Sequence, residues 1–184
     1  MIEITQNTID KVNTLLSGIP QGAEKAFSNA INRALTTARS EAYKGVTKEY
    51  AITRKIINEY TKDTIKKASN SDVCGVLTFS GKQIPLYKYS GVKPKTPGKG
   101  KVFAGQKTPK AIEDAFYINV TANKAGIFVR EGKSRTPISQ LMGSSMRSMV
   151  SNAAVIDNIY EKAQETLDKR IDHEIERILA GYGG

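Results

Sequence analysis

The chain has 184 residues, 39% of them hydrophobic, with 28 Lys and Arg against 18 Asp and Glu, a formal charge of +10. That length suffices for a genuine core. Its longest apolar runs, such as Ala153–Ile156, fall far short of the roughly 20 residues that span a bilayer, which excludes a transmembrane helix.

Met1-Ile2-Glu3-Ile4 lacks the basic-then-apolar pattern of a secretory signal, so none is expected. The single cysteine, Cys74, allows no internal disulfide, and a reducing, cytosolic setting is expected.

Residues 2–5 read as a short strand or an irregular lead-in. Asn7 or Thr8 is expected to open a short helix with Ile9, Val12, Leu15 and Leu16 on one side, stopped at Ser17-Gly18-Ile19-Pro20. Gly suits a helix end, and Pro suits the first turn of the next helix. From Pro20 to Tyr50, Phe27, Ala30, Ile31, Ala34, Leu35, Ala38, Ala42, Val46 and Tyr50 form one stripe at helical spacing. The alanines let a partner approach closely. Thr53 reads as the N-cap of a short helix through Ile56, Ile57 and Tyr60.

The period then changes. Val73, Gly75, Leu77 and Phe79 alternate with Cys74, Val76, Thr78 and Ser80, a strand pattern. Ile84-Pro85-Leu86 reads as extended, with Pro85 confining it to an edge or a strand start. Residues 90–101 have the composition of a flexible basic loop. A short strand near Val102–Ala104 and a hairpin follow. Phe116, Ile118 and Val120 alternate, Asn123-Lys124-Ala125-Gly126 turns, and Ile127–Arg130 returns. Residues 152–180 then hold the helical period through Val155, Ile159, Ala163, Leu167, Ile171, Ile175 and Ile178.

Helices, then strands, then a helix predict an α+β fold in one domain over 1–184. An antiparallel sheet would pack against long N-terminal and C-terminal helices, the two helices facing each other along their stripes.

Charge is unevenly placed. The 40 residues from 73 to 112 hold eight lysines and no Asp or Glu. Lys93, Lys95, Lys99 and Lys101 lie in or beside the loop, interleaved with Tyr87, Tyr89 and Phe103. Such a stretch suits an anionic partner, nucleic acid or an acidic protein. The competing reading is a solvated loop whose lysines keep it soluble. Lysine without arginine forks favours non-specific attraction over sequence reading.

Catalytic patterns are missing. The only histidine, His173, is expected on the solvent side of the last helix, away from Ile171 and Ile175. Asp168, Asp172, Glu174 and Glu176, interleaved with Lys169, Arg170 and Arg177, read as a charged helix surface. One Cys and one His offer no zinc spacing. Gly132-Lys133-Ser134 echoes a phosphate loop, but Ile127 stands where its first glycine belongs. Gly98-Lys99-Gly100 echoes a dinucleotide fingerprint, but Phe103 replaces its last glycine. No catalytic residue, metal ligand or cofactor is expected.

The string Phe128-Val129-Arg130-Glu131-Gly132-Lys133-Ser134-Arg135-Thr136-Pro137-Ile138 resembles the signature of the prophage minor tail protein Z family. Asp114-Ala115-Phe116 is similar to the family's entry to the same hairpin. The helix around Ala30–Ala42, the segment Glu49-Tyr50-Ala51-Ile52, and the closing helix with Asp172-His173-Glu174-Ile175 also resemble that family, over roughly residues 20–180.

The resemblance implies a non-enzymatic virion component at the head-proximal end of a phage tail, present in the host cytoplasm during assembly. It would act in tail completion and competence for DNA transfer. The implied partners are other tail or head–tail connector proteins and further copies in a ring, with DNA contact open and no membrane. Arg130, Lys133 and Arg135, clustered at a turn, are expected to face a neighbouring tail protein or passing DNA. The alternative is local structure: Gly132 and Pro137 shape the turn, and Arg135 pairs with Glu131. The runner-up function is a basic, non-specific nucleic-acid-binding protein.

Overall fold

A computed structural model describes residues 2–93, 101–103, 105, 110–119 and 125–181. The architecture is α+β, with the two long helices near either end and small antiparallel sheets between. In chain order the helices are α1 (Gln6–Leu15), α2 (Gly22–Glu49), α3 (Arg54–Tyr60), α4 (Met146–Val150) and α5 (Ala153–Leu179). The strands are β1 (Thr61–Lys66), β2 (Val76–Gly81), β3 (Val102–Phe103), β4 (Ala111–Ile112), β5 (Phe116–Asn119), β6 (Ala125–Arg130) and β7 (Ile138–Gln140). The strands pair as three sheets, β1-β2, β3-β4 and β5-β6-β7, rather than as one. Two compact units emerge from the internal contacts. Unit 1 comprises residues 1–42, 63–78 and 156–184, and unit 2 residues 43–62 and 79–155.

Unit 1 is helical at its centre. Thr5, not Asn7 or Thr8, caps α1, its side chain accepting from the Thr8 amide. Residues 2–5 form no strand. Pro20 lies in the turn before α2, and the helix begins two residues later, at Gly22, because Gln21 adopts a left-handed φ of 55°. The expected stripe-to-stripe packing is present: Ala26, Phe27, Ala30 and Ala34 of α2 share one buried cluster with Leu167, Ile171, Ile175 and Ile178 of α5 and with Val12 and Leu16. Small residues on α2 let the larger α5 side chains settle close to its backbone.

The segment between β1 and β2 is bound to α2. The Asn32 amide bonds both the carbonyl and the N–H of Ala68, each at 2.9 Å. Gly75 lies close on the helix: a Cβ there would fall 2.5 Å from Leu35 Cδ1, so a larger residue would have to push that side chain aside. Ser69 and Asp72 exchange backbone hydrogen bonds in a turn, and the strand starts at Val76, not Val73.

Glu174 departs from the surface position expected of it. Glu174 is buried, with 6% of its surface exposed, whereas Asp168, Asp172 and Glu176 are on the surface as expected. It accepts from Asn29 Nδ2 at 3.1 Å and pairs with Arg177 at 2.6 Å. The physical reason is periodicity: Glu174 follows Ile171 by three positions and precedes Ile178 by four, which puts it in the buried stripe.

Unit 2 is built on the three-stranded sheet. Phe116 pairs with Phe128 and Tyr117 with Ile127; Phe128 then pairs with Gln140 and Arg130 with Ile138. Strand alternation therefore separates two faces. Tyr117 and Ile127 are buried, while Phe116, Ile118 and Phe128 are half-buried on the other side with exposed Ile138. The 84–86 segment holds only a single bridge, Pro85 to Met142, before the 3-10 turn Leu86–Lys88. Ile84, Leu86, Tyr89, Val92, Val102, Met146 and Met149 of this unit are all buried. The expected loop residues 94–100, Ala104, Val120 and the turn residues Asn123 and Lys124 lie outside the described residues.

Candidate assembly surface

The family-like string folds as the β6–β7 hairpin. Its two strands close on the Arg130–Ile138 pair, and the Glu131 N–H donates to the Pro137 carbonyl at 3.2 Å. Between them every residue from Arg130 to Ile138 is exposed. Arg130 is anchored: its guanidinium lies 5.2 Å from the centre of the Phe116 ring and donates to the Arg135 carbonyl. Glu131 accepts from the Ser139 hydroxyl. Lys133 and Arg135 have no ion-pair partner among the described residues, and Arg135 contributes to the hairpin through its carbonyl rather than through a pair with Glu131. The hairpin thus holds one arginine at its base and projects two cations at its tip.

The other expected basic residues are not brought to that tip. Lys93 stands 5.3 Å from the centre of the Tyr117 ring. Phe116 and Tyr117 are consecutive on β5, so Arg130 and Lys93 bed on opposite faces of the sheet. Lys101 is exposed at the entry to β3. Lys95 and Lys99 lie outside the described residues.

A cleft of about 480 Å³ opens in unit 2, lined in part by Tyr50, Tyr89, Lys110, Ser144 and Ser148. Tyr89 is one of the lining residues. The ring is held between two glycines, since a Cβ on Gly105 or Gly143 would fall 2.4 or 2.6 Å from it. Its hydroxyl donates to the Ser144 carbonyl at 3.0 Å. Burial, with a smaller contribution from Tyr50, pushes the phenol up to about 12. A phenol held protonated is a hydrogen-bond donor, not a base, and among the described residues no carboxylate or imidazole lines the cleft. Sequence reasoning passed over this cleft, because its walls come from four separated segments.

His173 is exposed, on the side expected. Among the described residues, no three His, Cys, Asp or Glu side chains gather where they could hold a metal ion. No described helix is long and apolar enough to cross a membrane. Comparisons with family models, curated proteins and solved structures return no match.

Proposed function

We propose that this chain is a structural protein of a bacteriophage or prophage tail, acting at its head-proximal end in tail completion, and not an enzyme. One observation carries the reading. The string that resembles the tail-protein family is a stretch of surface: from Arg130 to Ile138 it contributes nothing buried, yet its base is pinned by Arg130 on Phe116. A segment so held and so exposed fits a docking role better than a packing role. Its partners would be neighbouring tail or head–tail connector proteins and further copies of the chain.

The test is location together with one substitution. Particles purified from cells carrying the phage should contain the chain, and immunogold labelling should place it at the head-proximal end of the tail. Arg135→Ala should leave the melting temperature unchanged, because the Arg135 side chain supports no core. Loss of one such anchor, ~1.4 kcal/mol, weakens docking about tenfold, and infectious yield should fall. A chain absent from particles, or a variant with normal yield, overturns the reading. Absence from particles together with tight DNA binding would favour the competing function of a free, basic nucleic-acid-binding protein.

A further inference from the structure

The formal charge of +10 hides a division that only the fold reveals. Unit 2 holds 18 Lys and Arg against 5 Asp and Glu, a net +13, whereas unit 1 holds 10 against 13, a net −3. Local neutralisation follows the same line. Ion pairs recur within unit 1, among them Lys11–Asp172, Lys66–Asp72 and Lys169–Glu165 at 2.7–3.0 Å. In unit 2 the Lys88–Glu59 pair is long, at 3.7 Å. There cations rest on aromatic rings instead: Arg54 on Tyr43, Lys88 on Tyr87, Lys93 on Tyr117 and Arg130 on Phe116. A ring holds a cation in place without cancelling its charge.

Exposed apolar side chains are distributed the opposite way. Among the described residues, Leu15, Ile19, Val73, Val76, Tyr160 and Leu179 belong to unit 1, and only Ile138 and Met142 to unit 2. Away from the Ile138 end of the hairpin, the described part of unit 2 exposes little of the apolar centre around which large protein interfaces pack. A polyphosphate backbone needs cations spread over a surface and no apolar centre.

We infer that unit 2 is a polyanion-binding module that holds the phosphate backbone of duplex DNA without reading its sequence. Arg130 and Lys93 lie on opposite faces of the three-stranded sheet, so a duplex meets a subset of the cations at a time. Base-edge forks are missing from the lysine-rich stretch, and the binding is electrostatic. This inference stands apart from the proposed tail location: DNA binding can fail while the chain still enters particles, and the reverse.

The experiment is a titration of the full chain with a mixed-sequence duplex of about 30 base pairs across salt, where on the order of five phosphate contacts give a log–log slope of about −4 to −5. Two double charge reversals in unit 2, Lys133→Glu with Arg135→Glu and Lys101→Glu with Lys110→Glu, are compared with Arg33→Glu plus Lys67→Glu in unit 1. All three change the total charge equally. The unit 2 pairs should weaken binding by about tenfold or more at low salt and flatten the slope by about 2, while the unit 1 pair leaves both near the parent values. Neutral Gln versions replace any reversal that fails to fold. Equal losses from all three pairs, no binding at low salt, or equal affinity for polyglutamate of matched length would each overturn the inference.

Discussion

At the residue scale, Tyr89 shows how chemistry follows from enclosure. Two glycines, Gly105 and Gly143, admit the ring, and Ser144 takes its proton in a hydrogen bond. Burial disfavours the tyrosinate, so the folded chain keeps that proton up to about 12, whereas the unfolded chain releases it near 10. Between those pH values the folded state binds more protons, and stability falls as pH rises; below about 10 this group contributes no pH dependence. Thermal unfolding followed from pH 8 to 12 should show that decline. Tyr89→Phe should lose about 1 kcal/mol at neutral pH, from the missing hydrogen bond, and decline less steeply in alkali. An identical alkaline profile for the variant would show that another group is responsible.

At the element scale, the α2–α5 seam was legible in advance and the short elements were not. Ala30, Ala34, Leu167, Ile171 and Ile175 repeat at helical spacing for many turns, and one periodic face of that length has few other uses. Ile171 is 2% exposed in that cluster, so Ile171→Ala should cost about 2–5 kcal/mol in urea unfolding. A cost below about 1 kcal/mol would mean the seam is loosely packed. By contrast β1, Thr61-Lys62-Asp63-Thr64-Ile65-Lys66, has no apolar alternation; it is a strand because β2 lies beside it. β7 and α4, of 3 and 5 residues, are too short to display a period. Glu174 was misread for a different reason. Its charge suggested the surface, although its position in the repeat pointed inward, where Asn29 and Arg177 receive it.

At the scale of the whole molecule, the two units should respond to salt with opposite signs. Screening weakens the attractive pairs of unit 1, such as Lys162–Glu165–Lys169, which hold the Glu165 carboxyl down at about 2. The same screening relieves repulsion among the cations of unit 2. Amide hydrogen exchange between low and moderate salt should therefore slow at Ile127 and Val129 of β6 while Ile171 and Ile175 of α5 exchange equally fast or faster. Uniform slowing across both would show that the net charge acts on the chain as one body.

The sequence alone determined the long helices, the β5–β6 hairpin, the exposed His173 and the concentration of lysine between residues 73 and 112. Each of these is written in neighbours along the chain, as a periodicity or a local composition. Tertiary structure alone decided the grouping of distant segments. It placed Arg130 and Lys93 on opposite faces of one sheet, enclosed Tyr89 between glycines far apart in the chain, buried Glu174, and split a charge of +10 into +13 and −3. Those outcomes depend on which surfaces meet after the chain closes on itself, and no pattern of adjacent residues encodes that meeting.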